Sequence, residues 1–161
     1  MLQSQSLVSD SIQSYIAKAE KLQEEYKYEQ SLEIAKAALQ NAKYNNDDQS
    51  LAHIYNIIAK NYEISEDNNK AKNNYSRALT HARSSNSTVL ETDLYNNLAR
   101  VYTKNKSTRI KGVAHYKKSY DFAFKLNDTS RMVRPLLNLG EYYIEKNDFE
   151  SAYQYISPAR K

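Results

Sequence analysis

The side chains best suited to chemistry are three histidines, His53, His81 and His115. Each falls in a different helical segment. None has a second histidine or a carboxylate at the spacing of a zinc-binding helix, so they read as surface or groove-edge imidazoles. With Gly 2 in the whole chain, no glycine-rich stretch can cradle a phosphate, and there is no nucleophile elbow. Cys 0 excludes thiol chemistry and disulfides. The acidic pairs Glu24-Glu25 and Asp47-Asp48 fall at expected turns, where solvation and helix capping account for them. One basic run, Lys104-Asn105-Lys106-Ser107-Thr108-Arg109-Ile110-Lys111, followed by Lys117-Lys118, could meet phosphate or an acidic partner. It lacks interleaved aromatics and reads first as a solvated turn. The expectation is a non-enzymatic chain with no metal and no cofactor.

The elements that would position any binding residue are amphipathic helices. Tyr55, Ile58, Ala59 and Tyr62 are spaced i, i+3, i+4, i+7, and Ala71, Tyr75, Ala78 and Ala82 continue the pattern. Between them, Ser65-Glu66-Asp67-Asn68-Asn69 has no apolar residue and several turn formers. This hairpin recurs. The small residue Ala59 has counterparts at Ala19, Ala99 and Gly140. The bulky residue three later recurs as Leu22, Tyr62, Tyr102 and Tyr143, and the one four earlier as Tyr15, Tyr55, Tyr95 and Leu136. In the second helix the small entry position is Ser31, Ala71, Gly112 and Ala152, followed four later by Ala35, Tyr75, Tyr116 and Ile156. A single hairpin cannot bury its apolar stripe alone, so the copies must stack.

The expected organisation is a flexible polar lead at 1–9 and one domain at 10–161, with repeats at about 10–45, 48–85, 88–126 and 130–160. Ser9 or Asp10 is the expected first cap. The expected helices span about 10–25, 28–43, 48–65, 68–84, 88–104, 109–126, 130–146 and 148–160. Pro135 should bend its helix or delay its start, and Pro158 should end the last one. The last helix carries Tyr153, Tyr155 and Ile156 with no polar capping helix after it. That reads as a fragment of a longer chain, or as an open end that meets a partner.

These residues resemble the tetratricopeptide repeat, with Leu139-Gly140-Glu141-Tyr142-Tyr143 and Asn147-Asp148-Phe149-Glu150-Ser151-Ala152 the nearest copy. The resemblance covers roughly residues 11 to 160 and implies an all-α fold, a right-handed α-α superhelix of four helical hairpins. The period is 40 to 41 residues rather than about 34, so the helices should be longer. The third copy has an extra residue in its turn, and the proline expected after the second helix is missing from the first three copies. Such long repeats look like those of bacterial regulators.

The resemblance also implies that the first helix of each hairpin lines a concave groove. The inward positions are then His53, Asn56, Ile57 and Lys60 in the second copy, Asp93, Asn96, Asn97 and Arg100 in the third, and Arg134, Leu137, Asn138 and Glu141 in the fourth. A carboxamide offers donors and an acceptor to an extended peptide backbone, and the neighbouring cations favour an acidic segment or a terminal carboxylate. The family's carboxylate-clamp pattern fits poorly, since only Asn97 and Arg134 match it. The expected partner is a protein or peptide segment, with the chain acting as the sensing or regulatory part of a signalling protein. The alternative is a scaffold that self-associates, a homodimer through its open C-terminal end.

Composition agrees with helices and with recognition. Gly 2 and Pro 2 are too few for a loop-rich or β-rich fold. Tyr 15 against Phe 3 means that the helix contacts use an aromatic with a polar tip. A net charge of +4 with interspersed acids does not imply a nucleic-acid surface. No apolar run of about 18 residues reads as a membrane span, and MLQSQSLVSDS does not read as a signal peptide. A cytoplasmic setting is favoured, with an extracytoplasmic one left open by an export signal outside the chain.

Overall fold

A computed structural model describes residues 2–157, with side chains described from residue 11 onward. The described residues form eight helices and no strand: α1 (Leu2–Glu24), α2 (Tyr28–Tyr44), α3 (Asp48–Ile64), α4 (Asn68–Ser84), α5 (Thr88–Thr103), α6 (Arg109–Lys125), α7 (Thr129–Glu145) and α8 (Phe149–Ile156). A 17-residue helix and a three-residue turn, taken twice, make the 40-residue repeat. The fold is therefore all-α and built from successive helical hairpins.

The turns show why the period is so regular. Asn46 has φ 51 and Asn86 φ 54, and Tyr26, Glu66, Asn127 and Asn147 occupy the same left-handed region at the same place in their turns. In each, the left-handed residue and the one after it return their N–H groups to the helix just ended. Asn46 N–H donates to Lys43 O and Asp47 N–H to Ala42 O, and the other five turns repeat the pair. This double bond pattern satisfies carbonyls that a helix end would otherwise leave open. Asparagine tolerates that conformation better than most residues and fills four of the six sites. The following residue is then the cap of the next helix. Asp47, Asp67, Asp128 and Asp148 accept from the N–H groups of Ser50, Lys70, Arg131 and Ser151 at 3.0–3.1 Å.

Three expectations need correction. The chain is helical from Leu2, so Ser9 and Asp10 lie within α1 rather than capping it. Residues 1–9 hold no glycine or proline to break a helix. α7 does not start late: it begins at Thr129 and continues through Pro135, which is buried and has no N–H for one ladder bond. α8 stops at Ile156, and Ser157 is extended at φ −67, ψ 126, as a residue before proline must be. Pro158 itself lies outside the described residues.

The helices divide into two units, residues 1–90 and 91–161. In the first, α1 packs on α2, α2 on α3 and α3 on α4, and α1 also reaches α3. The closest approach of α1 and α2 is at small residues. Ser31 Oγ donates to Ala19 O at 2.8 Å, and Asn61 Nδ2 donates to Ser31 Oγ at 3.1 Å. Gln23 Nε2 donates to Asn61 Oδ1 and to Ile57 O, each at 3.1 Å. This buried polar chain ties three helices together, with every link satisfied. Tyr75, fully buried, donates its hydroxyl to Glu63 Oε2 at 2.8 Å.

In the second unit α6 packs on α7 and α7 on α8. Ala99, Val113, Tyr116 and Leu139 form its core, with Tyr142 and Tyr155 against them. The register of the first hairpin returns here. A Cβ on Gly112 would lie 2.8 Å from Ala99 O and 2.5 Å from Thr103 Cγ2. The same position is Ser31 against Ala19 O in the first copy. A set of ring and cation contacts to tyrosine also repeats at matching positions. His81 stacks on Tyr55 at 5.5 Å with Arg77 5.7 Å from the tyrosine ring centre. Phe122 stacks on Tyr95 at 5.7 Å with Lys118 at 5.3 Å. Each set joins the two helices of one hairpin.

Gly112 and Gly140 should respond differently to an added methyl group. At Gly112 the methyl meets the backbone of α5, whereas at Gly140 it meets the end of the Ile156 side chain, which can move. Gly112→Ala is expected to cost about 1–3 kcal/mol in urea unfolding and Gly140→Ala clearly less. Equal stability of Gly112→Ala and the parent chain would contradict the close approach.

Candidate functional site

The candidate residues fall in two groups, one in each unit. On α3, His53, Asn56 and Lys60 lie at i, i+3 and i+7, with Asn56 buried and the other two partly exposed. In the second unit, Asn96 and Arg100 on α5 are partly exposed and Asn97 is buried. On α7, Arg134 and Glu141 are exposed and Asn138 is partly exposed. The asparagines therefore differ in what they can offer. Asn138 Nδ2 already donates to Arg134 O of its own helix at 2.7 Å. Asn56 and Asn97 are packed in, and Asn96 Oδ1 is buried with no hydrogen-bond partner. Ile57 is buried core and Leu137 is exposed. Asp93 is held by Arg131, whose Nε and Nη2 donate to its two oxygens at 2.9 and 3.2 Å.

Three of the expected residues come together. Arg100, Asn138 and Glu141 line a cleft of about 240 Å³ between α5, α6 and α7. Its other walls are residues that sequence reasoning had set apart or passed over: Lys104, Arg109, Tyr142 and Glu145, over a floor of Val113 and Tyr116. Arg109 comes from the basic run that read as a solvated turn. It pairs with Glu145 and sits 5.6 Å from the ring centre of Tyr142, while its Nε is buried without an acceptor. The turn that delivers it, residues 104–108, is the one that lacks the left-handed signature of the others. Thr108 Oγ1 instead donates to Tyr102 O at 2.7 Å, and Asn105 Oδ1 accepts from Ser107 N–H at 2.9 Å. The repeat register points to Arg100, Asn138 and Glu141, and the basic run in the lengthened turn to Lys104 and Arg109. Glu145, 36 residues beyond Arg109, has no sequence signal.

His81 and His115 are held in packed surroundings. His81 Nδ1 lies 2.6 Å from Asp48 Oδ1, a carboxylate from the start of the preceding helix that sequence spacing could not reveal. His115 is flanked by the rings of Tyr95 and Tyr102 at 5.6 and 5.3 Å. Among the described residues no group of three or more histidine, cysteine or acidic side chains could hold a metal ion. No described helix is long and apolar enough to cross a membrane.

The class is thus an all-α helical-repeat protein with a polar, charged cleft at its one irregular turn. No protein-family model and no curated protein sequence matches the chain. Among solved structures it is similar to BtubC (BKLC) from P. vanneervenii, at a TM-score of 0.78 and 18% identity. The match covers 92% of this chain and 61% of that one, so the chain spans about three fifths of the length of its structural neighbour. That likeness supports the fold.

At the start of α7, Arg131 pairs with the capping residue Asp128. The Arg131 guanidinium beside Asp128, together with the Arg131 backbone N–H, holds the Asp128 carboxyl below the usual carboxylate range. Its stabilising contribution is full above the unfolded carboxyl value of about 3.9 and is lost as pH falls through the lower folded value. Asp128→Asn keeps a cap acceptor but loses that charge pairing. Its melting temperature should drop less than the parent's between about pH 6 and pH 3. An identical drop would remove Asp128 from the acid response.

Proposed function

We propose that this chain is a non-enzymatic interaction module of the tetratricopeptide kind that takes an acidic, extended protein segment into the cleft between α5, α6 and α7. The observation that supports this most is the convergence of Arg100, Lys104 and Arg109 on one cleft that also holds Asn138 and Tyr142. A carboxylate entering there meets cations from two helices and a turn, and charge-assisted hydrogen bonds to guanidinium are among the stronger polar contacts. Glu141 and Glu145 keep the empty cleft from being a bare cluster of like charge, and an incoming acid competes with Glu145 for Arg109. Asn138 and Tyr142 add donors that are indifferent to sequence. The resemblance of the long repeats to those of bacterial regulators supports a sensing or regulatory role.

The test uses a fluorescein-labelled, C-terminally amidated hexaglutamate peptide and fluorescence anisotropy. Binding is expected in low salt and should weaken as ionic strength rises, because the contacts are at a solvated rim. Replacing Arg100 and Lys104 together by Gln should weaken it at least about tenfold in a chain that still unfolds cooperatively. Lys60→Gln on α3 should not alter it. Absence of binding at millimolar peptide, or full affinity in the double variant, would overturn the proposal.

A further inference from the structure

The cleft between α5, α6 and α7 is lined by charge of both signs, and the signs are sorted by helix. Arg100 and the adjoining Lys104 come from α5 and its end, Glu141 and Glu145 from α7, and Arg109 from the start of α6. The repeat register equates Ala99 with Gly140, so Arg100 answers to Glu141 and Lys104 to Glu145. The same two register positions are therefore basic on one wall and acidic on the other. Charges spaced i, i+4 stay on one side of a helix, about 6 Å apart along its axis. Arg109 takes up Glu145 and lies against the Tyr142 ring. Glu141, an exposed carboxylate, is the acid that remains on the α7 wall.

An extended chain turns successive side chains to opposite sides, and residues two apart on one side are about 6.6 Å from each other. That repeat is close to the spacing of the charges on each wall. A segment laid along the cleft thus presents alternate residues to α5 and the others to α7. Carboxylates suit the first wall. On the second they face Glu141, and bringing like charges together is how an interface rejects a wrong partner.

Resting on the reading of this cleft as a peptide site, we infer that its partner is a segment in which acidic and basic residues alternate. Acids at i and i+2 meet Arg100 and Lys104, and the base between them meets Glu141. The cleft then selects by the order of charges and not by their sum. A segment with the same residues grouped into an acidic block and a basic block never offers acid, base and acid in succession. Wherever it lies, it sets an acid against Glu141 or a base against the α5 wall. A uniformly acidic segment satisfies one wall only.

Three fluorescein-labelled, C-terminally amidated hexapeptides test this by anisotropy in low salt: Glu-Lys-Glu-Lys-Glu-Lys, its isomer Glu-Glu-Glu-Lys-Lys-Lys, and hexaglutamate. The first two share composition and net charge, so long-range attraction to a chain of net charge +4 is the same for both. The alternating peptide is expected to bind at least about tenfold tighter than its isomer. Glu141→Gln, at an exposed site, should remove most of that preference and strengthen hexaglutamate binding. Glu150→Gln, an exposed acid on α8 outside the cleft, should leave the preference intact. Equal affinity for the two isomers, or a preference that survives Glu141→Gln, would overturn the inference. Hexaglutamate that still binds through Arg100 and Lys104 would then keep the cleft as a site for acids and sink the alternation alone. Failure of all three peptides to bind at millimolar concentration would remove the site itself and the inference with it.

Discussion

The contact on which the architecture rests is the close approach of two helices at small residues. Ser31 reaches Ala19 O in the first hairpin, and Gly112 lies against Ala99 O in the third. The same backbone carbonyl is approached in both, 80 residues apart in the chain. At Gly112 even a methyl group would collide with the backbone of α5. With the axes this near, each helix has one stripe committed to its own hairpin and a second stripe left over. That second stripe is what the next hairpin covers, which is why one hairpin cannot stand alone.

Tyr55, Tyr75, Tyr95, Tyr116 and Tyr120 are among the buried side chains, and each needs somewhere for its hydroxyl or its ring face. Tyr75 finds Glu63, while Tyr55 and Tyr95 each contact a cation and a second ring. The abundance of asparagine has an equally local account. Asn46, Asn86, Asn127 and Asn147 take the left-handed turn position, and Asn61 is the hub of a buried hydrogen-bond chain. An amide at a repeating position can therefore serve a turn or a core contact before it serves a ligand.

The candidate cleft sits where the repeat is least regular. Six turns share one hydrogen-bond scheme, and the seventh, at residues 104–108, abandons it. The longer turn carries Lys104 and leads into Arg109, and both reach the cleft beside α7. A local departure from an otherwise consistent pattern is a common place for function, because regular packing there has been given up for something else.

How much of this was legible in the sequence depends on the range of the contact concerned. The helix boundaries, the small-residue register and the hairpin order could be read from residues 55–82 and their counterparts, because periodicity and caps act within a few residues of the chain. Tertiary packing decided the rest. It buried Asn56 and Asn97, which the repeat resemblance assigned to a groove. It joined Arg109 to Glu145 and His81 to Asp48, pairs whose separation exceeds any local pattern. The sequence by itself determined which stripe of each helix is apolar. Only the folded chain decided which polar side chains end up between helices and which meet water, because that choice depends on how neighbouring helices sit against one another and not on the order of residues along any one of them.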